Sequence, residues 1–193
     1  MRKIILASSS PRRKEILSKS SLPFEIIPSQ YEEDMTLAME PDELAKHLSS
    51  GKAEDVAKKA TDAIVIGADT FLTVDGHILG KPHTEAKAKE MLQLLSGSTH
   101  SVFTGYTIID TKSKKKISKA VETVVYFKSL SEQEIEGYIN TGEPLELAGA
   151  YAIQNMGSMF VKKIDGDYSN IMGFPLFNIV EDLKEFGISC WEK

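Results

Sequence analysis

The chain has 193 residues, 41% of them hydrophobic and 26% charged, a composition typical of a globular protein with a substantial core, and it predicts a single domain over residues 1–193. Its net charge of −5 argues against a broad basic face for nucleic acid, so any phosphate binding must be local. The single cysteine, Cys190, excludes an internal disulfide, and the sequence shows no signal peptide or membrane-spanning apolar run, so we expect a cytoplasmic protein without a membrane or nucleic-acid partner.

The first element is a short strand that leads directly into a helix. Residues 4–7 are apolar, Ser10 is a good N-cap and Pro11 suits a first helical turn, so the helix begins near Pro11. Helix N-termini bind anions through free N–H groups, and Arg12 and Arg13 add planar donors for phosphate oxygens. Basic residues in a first turn oppose the helix dipole, so their presence needs a reason. The alternative, a capped helix with solvated arginines, stays open at this point.

The remainder of the chain predicts a mixed α/β fold. Helical spacing or capping residues predict helices over residues 41–60, 84–95, 131–140 and 176–186. Apolar and alternating runs predict strands over residues 24–29, 63–70, 101–110, 119–127 and 160–164. A turn at Asp75-Gly76 predicts a small hairpin, and residues 166–175 are predicted as a loop. Hairpins beside helices exclude a strict doubly wound sheet and a helical bundle.

One carboxylate interrupts the apolar run AIVIGADT. The run is typical of a strand buried on both faces, so Asp69 is predicted to stand at the carboxyl end of that strand. Gly67 allows another backbone to approach closely there, and Asp69 is poorly explained as a solvated strand residue. The lysine-rich segment 110–119, by contrast, is interpreted as a solvated hairpin loop.

Several standard chemistries lack their sequence signature. GHILGKP, residues 76–82, differs from a phosphate loop in its spacing and in having Pro82 where a hydroxyl is needed. No dinucleotide fingerprint, serine-hydrolase elbow or zinc-protease motif occurs, and the four histidines lack ligand spacing. Phosphoanhydride hydrolysis instead requires carboxylates for Mg²⁺ or Mn²⁺, cations for phosphate oxygens and a carboxylate that orients water. Residues of these types stand near the ends of elements: Arg12, Arg13, Glu33, Lys52, Asp69 and Lys81.

Seven segments, in order and over nearly the whole chain, resemble the Maf family of nucleoside triphosphate pyrophosphatases. They are LASSSPRRKEIL, EED around Glu33, GADT, LGKP, LSGSTHSVFTG, AGAYAIQ and GDYSNIMGFP. The resemblance implies an α/β fold related to the inosine triphosphatase group, with a mixed elongated sheet flanked by helices and a cleft between two lobes. It also implies cleavage between the α and β phosphates, which yields a nucleoside monophosphate and pyrophosphate, and it suggests a homodimer.

The resemblance assigns roles to the charged residues. The proton-accepting aspartate of the family corresponds to Asp69, and its second acidic residue corresponds to Glu33. We assign both to a divalent cation, Mg²⁺ or Mn²⁺. The phosphate-binding residues correspond to Arg13, Lys52 and Lys81, and Ser8 in the serine run is assigned to the same group.

Three further positions mark the branch of the family that acts on dTTP and UTP. That branch has an arginine after S-P, a threonine after the catalytic aspartate and a glutamine in YAIQ, which match Arg12, Thr70 and Gln154. Thr70 and Gln154 are suited to hydrogen-bond a pyrimidine edge, because a site that pairs the polar groups of a base rejects analogues that leave those groups unpaired.

Two departures from the family pattern accompany this resemblance. ELAG at residues 146–149 replaces the usual D-K-A-G, and Asn155-Met156 stands where a glycine and a basic residue are common, so we expect altered substrate affinity with intact chemistry. The leading hypothesis is a dTTP and UTP pyrophosphatase, with modified pyrimidine triphosphates as further substrates. The alternatives are a 7-methyl-GTP pyrophosphatase, a nucleotide-binding regulator of septum formation and a binder of single-stranded nucleic acid.

Overall fold

The computed structural model describes residues 2–191, in which seven strands form one mixed sheet. The strands are β1 (Lys3–Leu6), β2 (Glu25–Ile26), β3 (Ala63–Val74), β4 (His77–Leu79), β5 (Thr99–Asp110), β6 (Lys116–Phe127) and β7 (Val161–Asp165). Their order is β2-β1-β3-β5-β6-β7, with β4 paired to β3. β1 is parallel to β2 and β3, whereas β4 and β7 are antiparallel to their neighbours. The expected mixed α/β sheet is confirmed.

Six α-helices accompany the sheet in this part of the chain. They are α1 (Pro11–Ser18), α2 (Pro41–Ala57), α3 (Glu85–Leu95), α4 (Glu132–Ile139), α5 (Tyr168–Ile171) and α6 (Leu176–Leu183). The Ser10 side chain caps α1, and Ser131 with Glu134 forms the expected capping box of α4. The loop predicted over residues 166–175 instead contains α5, because Asp167 Oδ1 accepts a hydrogen bond from the Ser169 N–H at 2.7 Å and caps this turn. None of the helices described is long and apolar enough to cross a membrane.

Strand β3 is longer than expected, so the prediction that Asp69 ends it was wrong. Parallel pairing with β1 stops at Ile66, but the strand continues to Val74. Its last three residues, 72–74, pair with β4 across the Asp75-Gly76 turn, with Leu72 opposite Leu79. Asp69 therefore lies inside β3, just beyond the end of its parallel neighbour.

The lysine-rich segment differs in part from the expected solvated loop. The loop itself covers residues 111–115, which is too short for a parallel crossover, and joins β5 to β6 as a hairpin. Asp110 at its start is buried, and its carboxylate accepts hydrogen bonds from the Arg2 guanidinium at 2.6 and 2.7 Å. These two charge-assisted hydrogen bonds stabilise the buried carboxylate, so Asp110 is fixed at the end of β5.

The described chain divides into two compact units. The first comprises the chain up to Asp69, Thr104–Val121 and the chain from Gly173, and the second comprises Thr70–Phe103 and Glu122–Met172. The single domain over residues 1–193 and the cleft between two lobes remain predictions.

Helix α2 lies directly on the sheet of the first unit because two glycines leave no side chain in the way. A Cβ at Gly67 would lie 2.6 Å from the Ser49 carbonyl oxygen, and one at Gly105 would lie 1.9 Å from the Ala45 carbonyl oxygen. The buried face of α2 consists of Leu44, Ala45, Leu48, Ser49, Lys52, Ala53 and Val56. The helix therefore carries one lysine, Lys52, on its buried face.

Replacement of Gly105 by alanine tests this contact. We expect Gly105→Ala to lower the free energy of unfolding, measured by urea denaturation, by about 1–3 kcal/mol or more, the cost of overpacking. Gly137→Ala is the matched control, because a Cβ there meets nothing within 4 Å and the residue lies inside α4. This control should gain roughly 0.5–1 kcal/mol from its better helix propensity. A Gly105→Ala protein as stable as the unmodified one would contradict the contact.

Candidate active site

The strand-to-helix junction at residues 7–13 holds Arg13 in one orientation. Ser8 is buried, and its Oγ accepts hydrogen bonds from the Ser10 N–H at 3.2 Å and from the Arg13 guanidinium at 3.3 Å. Arg13 Nε also donates to the Gly173 carbonyl oxygen at 2.9 Å. Burial lowers the pKa of Arg13, and the negative charge of Asp69 opposes that shift, but an arginine remains protonated. The junction therefore presents a fixed, partly desolvated cation.

Lys52 joins the two carboxylates that the sequence singles out. Its Nζ lies 2.6 Å from Glu33 Oε1 and also contacts Asp69 Oδ1. Asp69 is 3% exposed and Lys52 is 9% exposed, so this ion pair is largely shielded from water. Burial raises the pKa of Asp69, while Lys52 and Arg13 oppose the rise. A carboxylate that is surrounded by cations and has a raised pKa can accept a proton from water.

The loop that carries Glu33 is fastened to α2. Asp55 Oδ2 accepts a hydrogen bond from the Gln30 N–H at 2.8 Å, which fixes the start of the loop. The Tyr31 ring packs over Gly51, where a Cβ would lie 2.4 Å from ring atoms. A glycine in mid-helix costs helix stability, so this one is explained by the space that Tyr31 needs. Gly51 and Asp55 thus position Glu33 over α2, a role that sequence reasoning missed.

Arg12 differs from its neighbour. It is half-buried, and burial lowers the pKa of its guanidinium. Within residues 2–191 its guanidinium has no hydrogen-bond or ion-pair partner, whereas Arg13 is anchored on both sides. Arg12 is therefore the cation of the junction that remains available to a ligand.

The structure brings together six of the expected site residues in the first unit: Ser8, Arg12, Arg13, Glu33, Lys52 and Asp69. The other three, Thr70, Lys81 and Gln154, belong to the second unit. Their position relative to the first group stays a prediction.

In the second unit, backbone hydrogen bonds join the segment that carries Lys81 to residues 145–149, which precede Gln154. The Gly149 N–H donates to the Gly80 carbonyl oxygen at 3.0 Å, and the His83 N–H donates to the Leu145 carbonyl oxygen at 3.0 Å. Lys81 is exposed, with its Nζ 3.4 Å from Glu146 Oε2. Glu146, the acidic residue of the ELAG segment, thus forms an ion pair with Lys81, the lysine that is expected to bind phosphate.

Gln154 has an unsatisfied acceptor. Its Oε1 is buried without a hydrogen-bond partner in the described chain, an arrangement that is costly unless a ligand supplies a donor. The preceding Tyr151 hydroxyl lies 2.9 Å from His100 Nε2, and both side chains are buried. Burial lowers the pKa of His100 to about 4, so its ring is neutral at neutral pH. The His100–Tyr151 pair therefore anchors the chain three residues before Gln154.

The structure is similar to that of the Staphylococcus aureus Ham1 protein, with a TM-score of 0.53 over 97% of this chain and 100% of that chain at 12% sequence identity. This likeness confirms the expected fold class, because the chain shares the fold of the Ham1 protein.

The family follows from the sequence. The model of the family described as Maf-like protein matches residues 3–186, and the chain belongs to this family. Similar relatives come from Bacillus cereus (strain AH187) and Bacillus thuringiensis subsp. konkukian (strain 97-27). Each is 50% identical over 188 residues, 97% of both chains, and each is named dTTP/UTP pyrophosphatase.

Proposed function

We propose that this protein is a nucleoside triphosphate pyrophosphatase that converts dTTP and UTP to the monophosphate and pyrophosphate. The observation that carries the proposal is the buried carboxylate of Asp69 just beyond the end of β1, which is paired with Lys52 and lies within electrostatic range of the fixed Arg13. The relatives named dTTP/UTP pyrophosphatase support the same activity and substrates. Modified pyrimidine triphosphates are included as further substrates.

The geometry suits the addition of water across a phosphoanhydride. Asp69 takes the proton that the attacking water loses, and the bond between the α and β phosphates breaks so that pyrophosphate departs. Arg13 and Lys52 stabilise the negative charge that gathers on the phosphate oxygens, and Arg13 needs little reorganisation because its hydrogen bonds to Ser8 and Gly173 hold it in place. Ser8, Arg12 and Lys81 complete the proposed set of triphosphate contacts.

The chemistry of two acidic residues fits a divalent cation. Glu33 and Asp69 each place one carboxylate oxygen on the ammonium group of Lys52, so the two carboxylates already bind one cation together. Within residues 2–191 no group of three or more acidic, histidine or cysteine side chains gathers around a common point. Mg²⁺ is often bound by one or two carboxylates with phosphates and water, and Mn²⁺ prefers similar oxygen ligands. When bound there, such a cation would neutralise phosphate charge.

Gln154 is the proposed reader of the base, together with Thr70 and Arg12. Its unpaired Oε1 calls for a donor, and thymine and uracil carry one at N3–H beside the O4 acceptor. Cytosine has a lone pair at N3 and its donor at N4 instead, so a Gln154 whose Oε1 faces the N3 position would lose this hydrogen bond with cytosine. The amide therefore favours dTTP and UTP over dCTP and CTP.

The second candidate is a 7-methyl-GTP pyrophosphatase. Guanine presents N1–H beside O6, the same donor and acceptor pair that uracil presents at N3–H and O4. Gln154 alone therefore does not separate the two bases, and the size of the base must do so. A homodimer belongs to the proposal on the strength of the resemblance, and a single domain and a cytoplasmic location belong to it on the strength of chain length and composition.

Removal of the Asp69 carboxylate tests the chemistry. We expect Asp69→Asn to lower kcat for pyrophosphate release from dTTP by about 10²–10⁴-fold, the usual contribution of a general base. Asp62→Asn, at an exposed aspartate of the same unit, is the control and should keep the unmodified rate. A folded Asp69→Asn protein with unmodified turnover would refute the assignment.

Removal of the Gln154 amide tests the substrate. We expect Gln154→Met to lower kcat/KM for dTTP and UTP by about 10- to 100-fold, because a lost hydrogen bond in a buried site costs about 1–3 kcal/mol. The value of kcat/KM for dCTP should change little, so the preference for dTTP and UTP over dCTP falls. The control is Gln93→Met, an exposed glutamine on α3. A panel that includes 7-methyl-GTP decides between the two candidates, and a preference for that nucleotide over dTTP would favour the second.

A further inference from the structure

Lys52 contacts the same two carboxylate oxygens that the proposed function assigns to a divalent cation. These are Glu33 Oε1 and Asp69 Oδ1. The side chain of Glu33 is 43% exposed and that of Asp69 is 5% exposed, so the pair is open to water on the Glu33 side. An incoming cation therefore meets carboxylates that already share a positive charge.

The charges around this cluster balance. Glu33 and Asp69 contribute two negative charges, and Lys52 and Arg13 contribute two positive ones, with Arg13 close enough to act on both carboxylates. A free divalent cation approaching a neutral cluster gains little net attraction. It would also lose part of its hydration shell, which Mg²⁺ gives up reluctantly.

Displacement of Lys52 without a substitute partner is costly. The lysine lies on the buried face of α2, so its ammonium group would be left unpaired in a poorly solvated place. The helix cannot retreat with it, because the backbone of α2 touches the sheet at Gly67 and Gly105. Only another anion within reach of the same side chain removes this penalty. A nucleotide phosphate is such an anion.

We propose that Lys52 excludes free divalent cations from Glu33 and Asp69 until a nucleotide phosphate becomes the ion-pair partner of its ammonium group. This inference rests on the function proposed above. Lys52 is then a counter-ion in the free protein and a phosphate ligand in the complex. Because binding couplings are reciprocal, cation and triphosphate raise each other's affinity and enter together.

Mn²⁺ binding in the absence of nucleotide tests this inference. The paramagnetic resonance signal of free Mn²⁺ gives the dissociation constant, and Lys52→Met removes the charge while keeping an unbranched stem. We expect the variant to bind Mn²⁺ at least about 10-fold more tightly than the unmodified protein, because one buried opposing charge is gone.

Lys46→Met is a matched control on the same helix. Lys46 also bridges two carboxylates, those of Asp42 and Glu43, but these acidic side chains lie at the surface. Its replacement should leave Mn²⁺ affinity unchanged. The gain in Lys52→Met should in turn disappear in the double variant Lys52→Met/Glu33→Gln, which locates the bound ion at the pair.

Equal Mn²⁺ affinity in Lys52→Met and the unmodified protein would overturn the inference. If Lys52→Met does not fold alone, Mn²⁺ should restore a cooperative thermal transition, and a protein that stays unfolded at saturating Mn²⁺ would overturn it as well. The proposed function is judged separately. If the unmodified protein releases pyrophosphate from dTTP but Lys52→Met gains no affinity for Mn²⁺, the proposed function stands and the role of Lys52 in excluding cations is rejected.

Discussion

The close contact between α2 and the sheet is the constraint on which the candidate site depends. Gly67 and Gly105 let the helix backbone rest on strands β3 and β5, and this brings Lys52 to Asp69. A larger residue at either glycine would lift the helix and separate the pair. Because the pair is shielded from water, its electrostatic interactions are stronger than those of a surface ion pair. The backbone positions that carry the charged side chains are therefore set by packing before any substrate binds, and such preorganisation favours electrostatic catalysis.

Local signals in the sequence predicted two helix starts and one turn correctly. The cap at Ser10, the capping box at Ser131 and the turn at Asp75-Gly76 depend on residues a few positions apart, so each can be recognised in isolation. The length of β3 could not be obtained in this way. Whether the strand stops at Asp69 or continues depends on its partner β4, and pairing is a property of the tertiary structure.

Site residues were predicted from family motifs, but their contacts were not. Lys52 follows Leu44 and Leu48 at a spacing of four and shares their buried face in α2. That the partners are both Glu33 and Asp69 requires the fold, since the three residues come from a loop, a helix and a strand. Gly51 carried a weaker signal, because a glycine in mid-helix has a cost that only its contact with Tyr31 explains.

The identity of the products shows which phosphoanhydride bond the protein breaks. ³¹P NMR of dTTP incubated with the protein and Mn²⁺ distinguishes the two phosphoanhydride bonds in one spectrum. We expect dTMP and pyrophosphate to appear in equal amounts as the triphosphate signals decay, with no dTDP at any time. The appearance of dTDP and inorganic phosphate, or the persistence of dTTP with Mn²⁺ and with Mg²⁺, would contradict it.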